Sequence, residues 1–300
     1  MKVIRTVAEL VAAIRTYKVE QPSASIGFVP TMGYLHQGHA SLLERSRQDN
    51  DLSVLSIFVN PIQFGPNEDL DRYPRDEERD LATAERVGVD IAFLPAVEEM
   101  YPTPTKTKVA VSELTSLLCG ATRPGHFDGV TTVVSKLFHM VKPTRAYFGM
   151  KDAQQVAVLT QMVADLNMDV EIVPCPIVRE EDGLALSSRN VYLSPEQRKQ
   201  ALTLSQSLLQ AVGKLEEDVL AVEQVKAGII ERISQAPLAD IEYVEVVSFP
   251  SLERLAEDTL LPAQDADTLI ALAVRFGSTR LIDNIRITKK KGESFPCSVK

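Results

Sequence analysis

The stretch that decides the fold is residues 25–49, SIGFVPTMGYLHQGHASLLERSRQD. Its first part, SIGFV, is a short apolar segment typical of a buried strand, and it ends at Pro30 and Gly33. From His39 onward, the pattern of ASLLERSRQD predicts a helix. A strand followed by a glycine-containing turn and a helix is the unit of doubly wound α/β sheets, so we expect that fold here.

The alternation of apolar and helical segments continues to about residue 178. LSVLSIFVN at 52–60 is an almost continuous apolar run, which favours a strand buried on both faces of a parallel sheet. The later segments are a charged helix at about 76–87, DIAFLP, TKVAVS, a helix at about 130–141, the strand RAYFG, the helix DAQQVAVLTQMVADLN, and VEIVPCPIV. This order predicts a Rossmann-like doubly wound parallel sheet.

The character of the sequence changes near Glu180. EEDG is a turn, and Ser194-Pro195 begins a helix, with serine as N-cap and proline in the first turn. Two helices are expected up to about Ser234, followed by the β-like stretches IEYVEVVSF, DTLIALAVRF and TRLIDNIRI. We therefore predict two domains, a Rossmann-like domain at 1–181 and a smaller α+β lid domain at 182–300.

Composition excludes several classes of protein. Hydrophobic residues make up 45% and charged residues 24%, which is enough to bury a globular core. The formal net charge of −9 argues against a nucleic-acid binder, which needs a basic face. No apolar run approaches the roughly 18 residues of a membrane span, and MKVIRTVAEL does not resemble a signal peptide. The scattered Cys119, Cys175 and Cys297 form neither a disulfide framework nor a zinc site, which favours the cytoplasm.

The turn PTMGYLHQGH at 30–39 is the first candidate site. The carboxyl end of such a strand is where doubly wound sheets bind ligands, and the following helix N-terminus offers N–H groups to phosphate. Gly38 permits close backbone approach, and His36 and His39 can stand side by side to donate to phosphoryl oxygens. A plain turn with a histidine near the helix N-cap and a metal-binding pair are the alternatives. The coincidence of strand, glycines and helix start favours phosphate.

Two further stretches carry groups suited to phosphate. Ser187, Ser188 and Arg189 could grip a polyphosphate, although the same residues could form a solvated loop. Lys151 lies outside the predicted helix, where a phosphate could meet it. Asp152 and Gln155 have the spacing of a capping box, which is a structural explanation for both.

Gln63 and Asp80 each have a functional and a structural interpretation. Gln63 follows the strand at 52–60 and can donate to and accept from a carboxylate or hydroxyl ligand, but a polar turn residue is equally expected. Asp80 lies in an acidic helix whose charges are mostly solvated, yet it shares a face with Ala84 and Val87. We expect it to point towards the cleft and to hold a metal through water, as magnesium prefers.

These pieces together resemble the pantoate–β-alanine ligases (pantothenate synthetases), a family within the HxGH nucleotidyltransferases. The matching stretches are FVPTMGYLHQGHASLL, VNPIQFGPNEDLDRYPR, RPGHFDGV, YFGMKDAQQ, SSRN and GSTRLIDN, in order from about 26 to 287. HxGH alone would indicate only the superfamily, whereas NPxQF, KDxQQ and SSRN at these separations are far more specific.

The resemblance implies a reaction and its cofactors. ATP, pantoate and β-alanine would give pantothenate, AMP and pyrophosphate through a pantoyl adenylate. The family implies Mg²⁺, a cytoplasmic homodimer, small-molecule substrates, and neither nucleic acid nor membrane as partner. The alternatives are an adenylyltransferase of the same superfamily and a non-catalytic nucleotide-binding regulator. An RNA-binding relative is disfavoured by the acidic charge.

The resemblance also assigns site residues position by position. The catalytic residues would be His39 as proton donor, His36, Lys151 and Arg189. The ATP site would be lined by Met32, Gly33, Tyr34, Leu35, His36, Gln37, Gly38, His39, Gly149, Met150, Lys151, Asp152, Val178, Leu186, Ser187, Ser188 and Arg189. Gln63 and Gln155 would bind pantoate, with Gln63 later contacting β-alanine, and Asp80 would help to carry magnesium.

Some assignments are less complete. Arg123 and His126 would lie on a loop over the cleft, without an assigned role. The family often has glutamate where Met150 stands and methionine where Leu186 stands. Neither position supplies the side-chain chemistry above, so these departures affect only the packing expected around ATP.

Overall fold

The computed structural model describes residues 1–66, 68–262 and 266–288. Cys297 and the last part of the predicted second domain lie outside these residues.

A six-stranded sheet organises the N-terminal part of the chain. Its strands are β1 (Lys2–Ile4), β2 (Ile26–Thr31), β3 (Leu52–Ile57), β4 (Ile91–Phe93), β5 (Arg145–Gly149) and β6 (Glu171–Cys175). The order is β1-β4-β3-β2-β5-β6, and every pair is parallel. This confirms the doubly wound parallel sheet. The short β1 at the edge was not predicted.

Helices cover both faces of this sheet, as its apolar strands require. They are α1 (Val7–Glu20), α2 (Gln37–Asp49), α3 (Glu77–Val87), α4 (Val97–Met100), α6 (His126–Val141) and α7 (Ala153–Asp165). The short α5 (Leu118–Thr122) packs instead against the C-terminal part of the chain. The apolar sides of α1, α6 and α7 pack into one core with the sheet, and those of α2 and α3 pack into a second. The N-terminal helix α1 is a further element that was not predicted.

The predicted segment TKVAVS forms no strand. Two threonines of α6 instead bond the backbone of Val109 at its centre: the N–H of Val109 donates to Thr132 Oγ1 at 3.0 Å, and Thr131 Oγ1 donates to the carbonyl of Val109 at 2.6 Å. Side chains of a helix thus take the place of a neighbouring strand.

The C-terminal part is α+β, as predicted. Its elements are α8 (Pro195–Ala201), α9 (Thr203–Glu217), β7 (Leu220–Ala221), α10 (Val222–Ser234), β8 (Ala239–Phe249), β9 (Leu260–Leu261), β10 (Asp267–Phe276) and β11 (Thr279–Ile287). A three-stranded antiparallel sheet has the order β11-β10-β8 and shares a core with α8, α9 and α10. Ser194 caps α8 with Pro195 in the first turn, as expected, but three helices stand where two were predicted.

A separate apolar cluster joins the two parts of the chain. Leu118, Ala153 and Ala157 on the N-terminal side pack with residues of the C-terminal sheet, among them Val247 and Leu269. The domain boundary at 181/182 stays a prediction.

The strand order fixes where a ligand can bind. The chain runs from β2 outwards through β3 to β4, then returns to add β5 and β6 on the other side of β2. The carboxyl ends of β2 and β5 therefore form the switch point at which such sheets open a crevice. The sequence continues from these two ends into PTMGYLHQGH and GMKDAQQ.

Candidate active site

A cleft of about 220 Å³ opens at the carboxyl ends of β2 and β5. A second cavity of about 480 Å³ adjoins it on the side of β11. The predicted site residues that line the cleft are Met32, His36, Gly38, His39, Gln63, Gly149, Lys151, Asp152, Gln155, Val178, Leu186, Ser187, Ser188 and Arg189. Residues separated by more than 150 positions in sequence thus surround one space.

Other predicted residues do not line this cleft. They are Gly33, Tyr34, Leu35, Gln37, Met150 and Asp80. Leu35 is 1% exposed and its side chain packs in the core beneath α2, so only its backbone could contribute to the ATP site, and its assignment there stays a prediction. The side chain of Met150 packs into apolar clusters, which explains why an apolar residue is accommodated there.

Asp80 holds the turn after β2 through hydrogen bonds to its backbone. Its Oδ2 accepts from the N–H of Tyr34 at 2.8 Å, and its Oδ1 accepts from the N–H of Leu35 at 2.6 Å. It is 1% exposed, and its burial raises the pKa of the carboxyl while the two N–H donors oppose that rise. The prediction that Asp80 faces the cleft is therefore wrong, because the backbone of the turn uses both oxygens.

Gly33 explains why the turn can close over Asp80. Its φ is +84°, in the left-handed region that favours glycine. A Cβ atom there would lie 2.8 Å from Asp80 Oδ2 and 2.9 Å from a methyl of Ile57. Both the conformation and the close contact require glycine.

His36 and His39 form a stacked pair at the start of α2. The ring centroids are 4.1 Å apart, which confirms that the two imidazoles stand side by side. The Nδ1 of His36 accepts from the N–H of Gly38 at 3.1 Å, and the Nδ1 of His39 accepts from the N–H of His36 at 3.3 Å. His36 is thus the N-cap, so the structural alternative for this histidine is also true. The helix begins at Gln37, two residues earlier than predicted.

These hydrogen bonds determine the protonation of both rings. Because each Nδ1 is an acceptor, each neutral ring carries its proton on Nε2. Burial, helped by Lys151 and Arg79, lowers the pKa of His36 to about 4. Burial, then His36 and Lys151, lowers the pKa of His39 well below its usual value. At neutral pH both rings are therefore uncharged, and each can donate a hydrogen bond through its Nε2–H.

Lys151 and Gln155 belong to the segment that follows β5. Lys151 lies in a 3₁₀ turn, Met150–Asp152, with its Nζ 3.6 Å from an oxygen of Asp152. Asp152 makes no side-chain cap to α7, so the capping-box interpretation is wrong. Gln155 instead lines both the cleft and the adjoining cavity.

Arg189 is paired with Asp69, which was not among the predicted site residues. Its Nε and Nη2 donate to the two oxygens of Asp69 at 2.8 and 2.9 Å. Ser187 Oγ accepts from the N–H of Arg189 at 3.2 Å, and Ser188 Oγ donates to the carbonyl of Tyr34 at 3.4 Å. The SSRN segment therefore connects the turn after β2 with the loop around Asp69.

Gln63 is held by a chain of buried hydrogen bonds. Tyr101 Oη donates to Asn60 Oδ1 at 2.7 Å, and Asn60 Nδ2 donates to Gln63 Oε1 at 3.0 Å. This order leaves Gln63 Nε2 as a donor, which reaches Met32 Sδ at 3.2 Å. Asn60 could have been found from its place in the NPIQF motif. Tyr101, 41 residues away, gave no local signal.

Arg123, at the end of α5, and His126, the first residue of α6, line one side of the cleft, so His126 lies on a helix and not on the predicted loop. Arg123 forms a two-bond ion pair with Glu68, each bond 2.6 Å long. His126 Nδ1 donates to the carbonyl of Gln63 at 2.8 Å, and its Nε2 accepts from Arg123 at 3.0 Å. Burial and Arg123 lower the pKa of His126 to about 4, so this ring is also neutral. Its observed contact positions the backbone of Gln63.

The site does not contain a protein cage for a metal. Among residues 1–66, 68–262 and 266–288, no group of three or more His, Cys, Asp or Glu side chains could hold a metal ion. Asp80 is 1% exposed and does not line the cleft, so it is not placed to hold a magnesium ion there. In the same part of the chain, no helix is long and apolar enough to cross a membrane.

Comparison with known proteins gives consistent matches. A family model described as pantoate-beta-alanine ligase matches residues 2–286. The pantothenate synthetase of Acetivibrio thermocellus is 59% identical over 285 residues, covering 95% of this chain and 99% of that protein. The pantothenate synthetase of Thermotoga petrophila is 53% identical over 286 residues, covering 95% and 99%.

Solved structures agree with the sequence matches. Pantothenate synthetase from Thermus thermophilus superposes with a TM-score of 0.85 at 49% identity, covering 95% of this chain and 99% of that one. The pantoate-beta-alanine ligase of Francisella tularensis, complexed with β,γ-ATP and β-alanine, superposes with a TM-score of 0.76 at 31% identity, covering 97% and 99%.

Proposed function

This chain belongs to the pantoate–β-alanine ligase family, and from that premise we propose how its cleft performs the reaction. The protein is an ATP-dependent ligase that joins pantoate to β-alanine through an amide bond. Membership in a family of ligases decides against the adenylyltransferase and the non-catalytic regulator.

The reaction proceeds in two steps. A carboxylate oxygen of pantoate attacks the α-phosphorus of ATP, forming pantoyl adenylate as pyrophosphate leaves. The free amine of β-alanine then attacks the acyl carbon, and AMP leaves with the oxygen that joined it to the acyl group. The first step brings two anions together, so its main requirement is charge stabilisation.

Four groups around the cleft supply that stabilisation. The Nε2–H groups of His36 and His39, the ammonium of Lys151 and the guanidinium of Arg189 face the space at the end of β2 and β5. Asp69 takes the Nε and Nη2 edge of Arg189 and leaves Nη1 for a phosphate oxygen. The neutral imidazoles can donate hydrogen bonds to phosphate oxygens without a change in their own charge. Removing one preorganised donor of this kind typically costs ~100- to 1,000-fold in rate.

The remainder of the cleft suits pantoate. Gln63 and Gln155 are uncharged, so they orient the carboxylate without neutralising its nucleophilicity. The apolar side of α6, with Val130, Val133 and Val134, lines the same cleft and matches the dimethyl carbon of pantoate. Val178 and Leu186 lie where they can flank the adenine.

The family resemblance also supports proposals about magnesium, about the homodimer and its location, and about the C-terminal segment. Magnesium would enter as part of the MgATP substrate, since the described residues form no cage for it and Mg²⁺ usually keeps several waters. The homodimer is tested by light scattering, and the cytoplasmic location by fractionation. The segment from Asp182 onward would shield the acyl adenylate from water, because such an intermediate hydrolyses readily.

The observation that carries this proposal is the pairing at the start of α2, where both Nδ1 atoms accept backbone N–H groups beside Lys151. The test is pyrophosphate release with ATP and pantoate before β-alanine is added. We expect one equivalent of pyrophosphate per site, and AMP only after β-alanine. Pyrophosphate release that needs no pantoate, or ADP in place of AMP, would contradict the assignment.

A further inference from the structure

The motif GSTRLIDN takes no part in the mechanism above, yet two of its residues contact chain segments that flank the cleft. Asp283 and Asn284 lie on β11, an edge strand of the C-terminal sheet. They are 2% and 5% exposed. Consecutive residues on a strand point to opposite sides, so this pair can contact two different segments.

Asn284 holds the turn that carries Lys151. Its Nδ2 donates to the carbonyls of Met150 and Lys151, both at 2.9 Å. A side-chain amide nitrogen carries two hydrogens, so both bonds form at once. The two carbonyls are consecutive in the 3₁₀ turn, and this pair of bonds fixes the direction of the peptide plane between them.

Asp283 holds the segment that leaves β6. Its oxygens accept from Arg179 Nη1 at 2.6 Å and Nη2 at 2.9 Å. Its Oδ1 also accepts from the N–H of Asn284 at 2.8 Å, which links the two residues. Arg179 directly follows Val178, which lines the cleft. One strand of the C-terminal domain therefore braces both chain segments on either side of the nucleotide site.

We propose that Asn284 is a positioning residue for adenylation, acting through the Met150–Lys151 turn. The proposal rests on the role given above to Lys151. A lysine ammonium sits on a flexible four-carbon stem, so its placement at a phosphate depends on where its backbone is held. The contacts of Asn284 are made across the domain junction, so the C-terminal strand sets the geometry of a group on the N-terminal domain.

A double-mutant cycle tests this coupling. Asn284→Ala should slow pantoate-dependent pyrophosphate release by roughly 10- to 100-fold, since a displacement of about 1 Å in a reacting site can cost 100-fold. In the Lys151→Ala background, the same substitution should cost less than about threefold, because the group that Asn284 positions is already gone. Ser248→Ala is the matched control, because it removes a buried hydroxyl of the same sheet whose bonds stay within the C-terminal domain.

A second readout separates positioning from general damage. Lys151 stabilises negative charge on the ATP phosphates, which matters in the adenylation step. The rate at which β-alanine attacks preformed pantoyl adenylate should therefore stay within about threefold of wild type in Asn284→Ala. Asn284→Asp places a carboxylate against two carbonyl oxygens. Its adenylation rate should be below that of Asn284→Ala at pH 8 and should rise as the pH is lowered and the carboxyl becomes protonated. Asn284→Ser, which keeps one donor, replaces the alanine variant if that variant does not fold.

The outcomes distinguish this proposal from the mechanism it rests on. If Lys151→Ala itself leaves pyrophosphate release unchanged, the phosphate role of Lys151 is wrong. If Lys151→Ala slows pyrophosphate release, and Asn284→Ala slows it in that background by the same factor as in wild type, the two residues act independently. The positioning role of Asn284 is then overturned. Equal losses in both half-reactions of Asn284→Ala would overturn it too.

Discussion

Gln154 and Gln155 are consecutive on α7, but their side chains serve different parts of the molecule. Gln154 is 5% exposed and its Nε2 donates to the carbonyls of Leu114 and Leu117 at 2.8 and 2.7 Å. Gln155 lines the cleft and the adjoining cavity. The two glutamines of the KDAQQ motif are therefore a natural matched pair.

Gln155→Ala should weaken the use of pantoate. A hydrogen bond to a charged group contributes about 1.5–3 kcal/mol, so kcat/KM for pantoate should fall roughly 10- to 100-fold while the KM for ATP changes little. Gln154→Ala should instead lower the free energy of unfolding by about 1–3 kcal/mol, because it removes the two part-buried hydrogen bonds to Leu114 and Leu117. Steady-state kinetics and urea unfolding of both variants check this. A loss of ATP affinity in Gln155→Ala with unchanged pantoate dependence would contradict the assignment.

His36→Asn separates the two roles of His36. Asparagine is a good N-cap, so the thermal stability of this variant should stay close to wild type. The Nε2–H donor is lost, so adenylation should slow by roughly 100-fold or more. His39→Ala should show the same kinetic loss. Pyrophosphate release and a thermal melt measure the two effects, and a stable variant with near-normal activity would mean that His36 is only a cap.

The parallel sheet could be predicted because its signal is local. Each of SIGFV, LSVLSIFVN and RAYFG shows the continuous apolar pattern of a strand buried on both faces, and each lies at a strand of the six-stranded sheet. β1, with only Lys2–Ile4, is too short to show any pattern. TKVAVS has the pattern of a strand, but the side chains of Thr131 and Thr132 take its backbone bonds, which no local reading reveals.

Site residues could be predicted from the sequence where their motif directly follows a strand. Residues that support the site from a distant part of the chain could not. PTMGYLHQGH and KDAQQ end up at the cleft because the carboxyl ends of parallel strands meet there. Asp80 was misjudged because helical periodicity says which face is buried, and not whether that face meets a ligand or the backbone of a turn. Asp69 and Tyr101 act through long-range pairing, for which the single sequence has no signal.

Arg189 should link ATP binding to the segment at 180–192. ATP should protect this segment from hydrogen exchange, because contacts made only with nucleotide bound favour one state. Arg189→Ala should lose most of this protection. Arg198→Ala is the control, since it also removes an arginine paired with carboxylates, Glu180 and Asp182, but does not line the cleft. Equal ATP-induced protection in wild type and Arg189→Ala would mean that SSRN is only a solvated loop.

Stability should fall in mildly acidic solution because of buried histidines. The pKa values of His36 and His126 are lowered to about 4 in the folded protein, whereas an unfolded histidine titrates near 6.5. Between these values the unfolded chain binds protons that the folded chain does not. The free energy of unfolding therefore falls as the pH is lowered from about 6.5 to about 4. Urea unfolding should show a shallower fall for His36→Asn and His126→Asn than for wild type, and identical slopes would contradict the buried neutral state.

The most direct test of the account follows the carboxylate oxygen of pantoate. Pantoate labelled with ¹⁸O in its carboxyl group is incubated with the enzyme, ATP and β-alanine, and the AMP is analysed by mass spectrometry. If this cleft drives attack of the carboxylate on the α-phosphorus, one ¹⁸O atom per turnover appears in AMP, because that oxygen stays with the phosphate when the amine displaces it. AMP without label, formed alongside pantothenate, would contradict the acyl-adenylate mechanism.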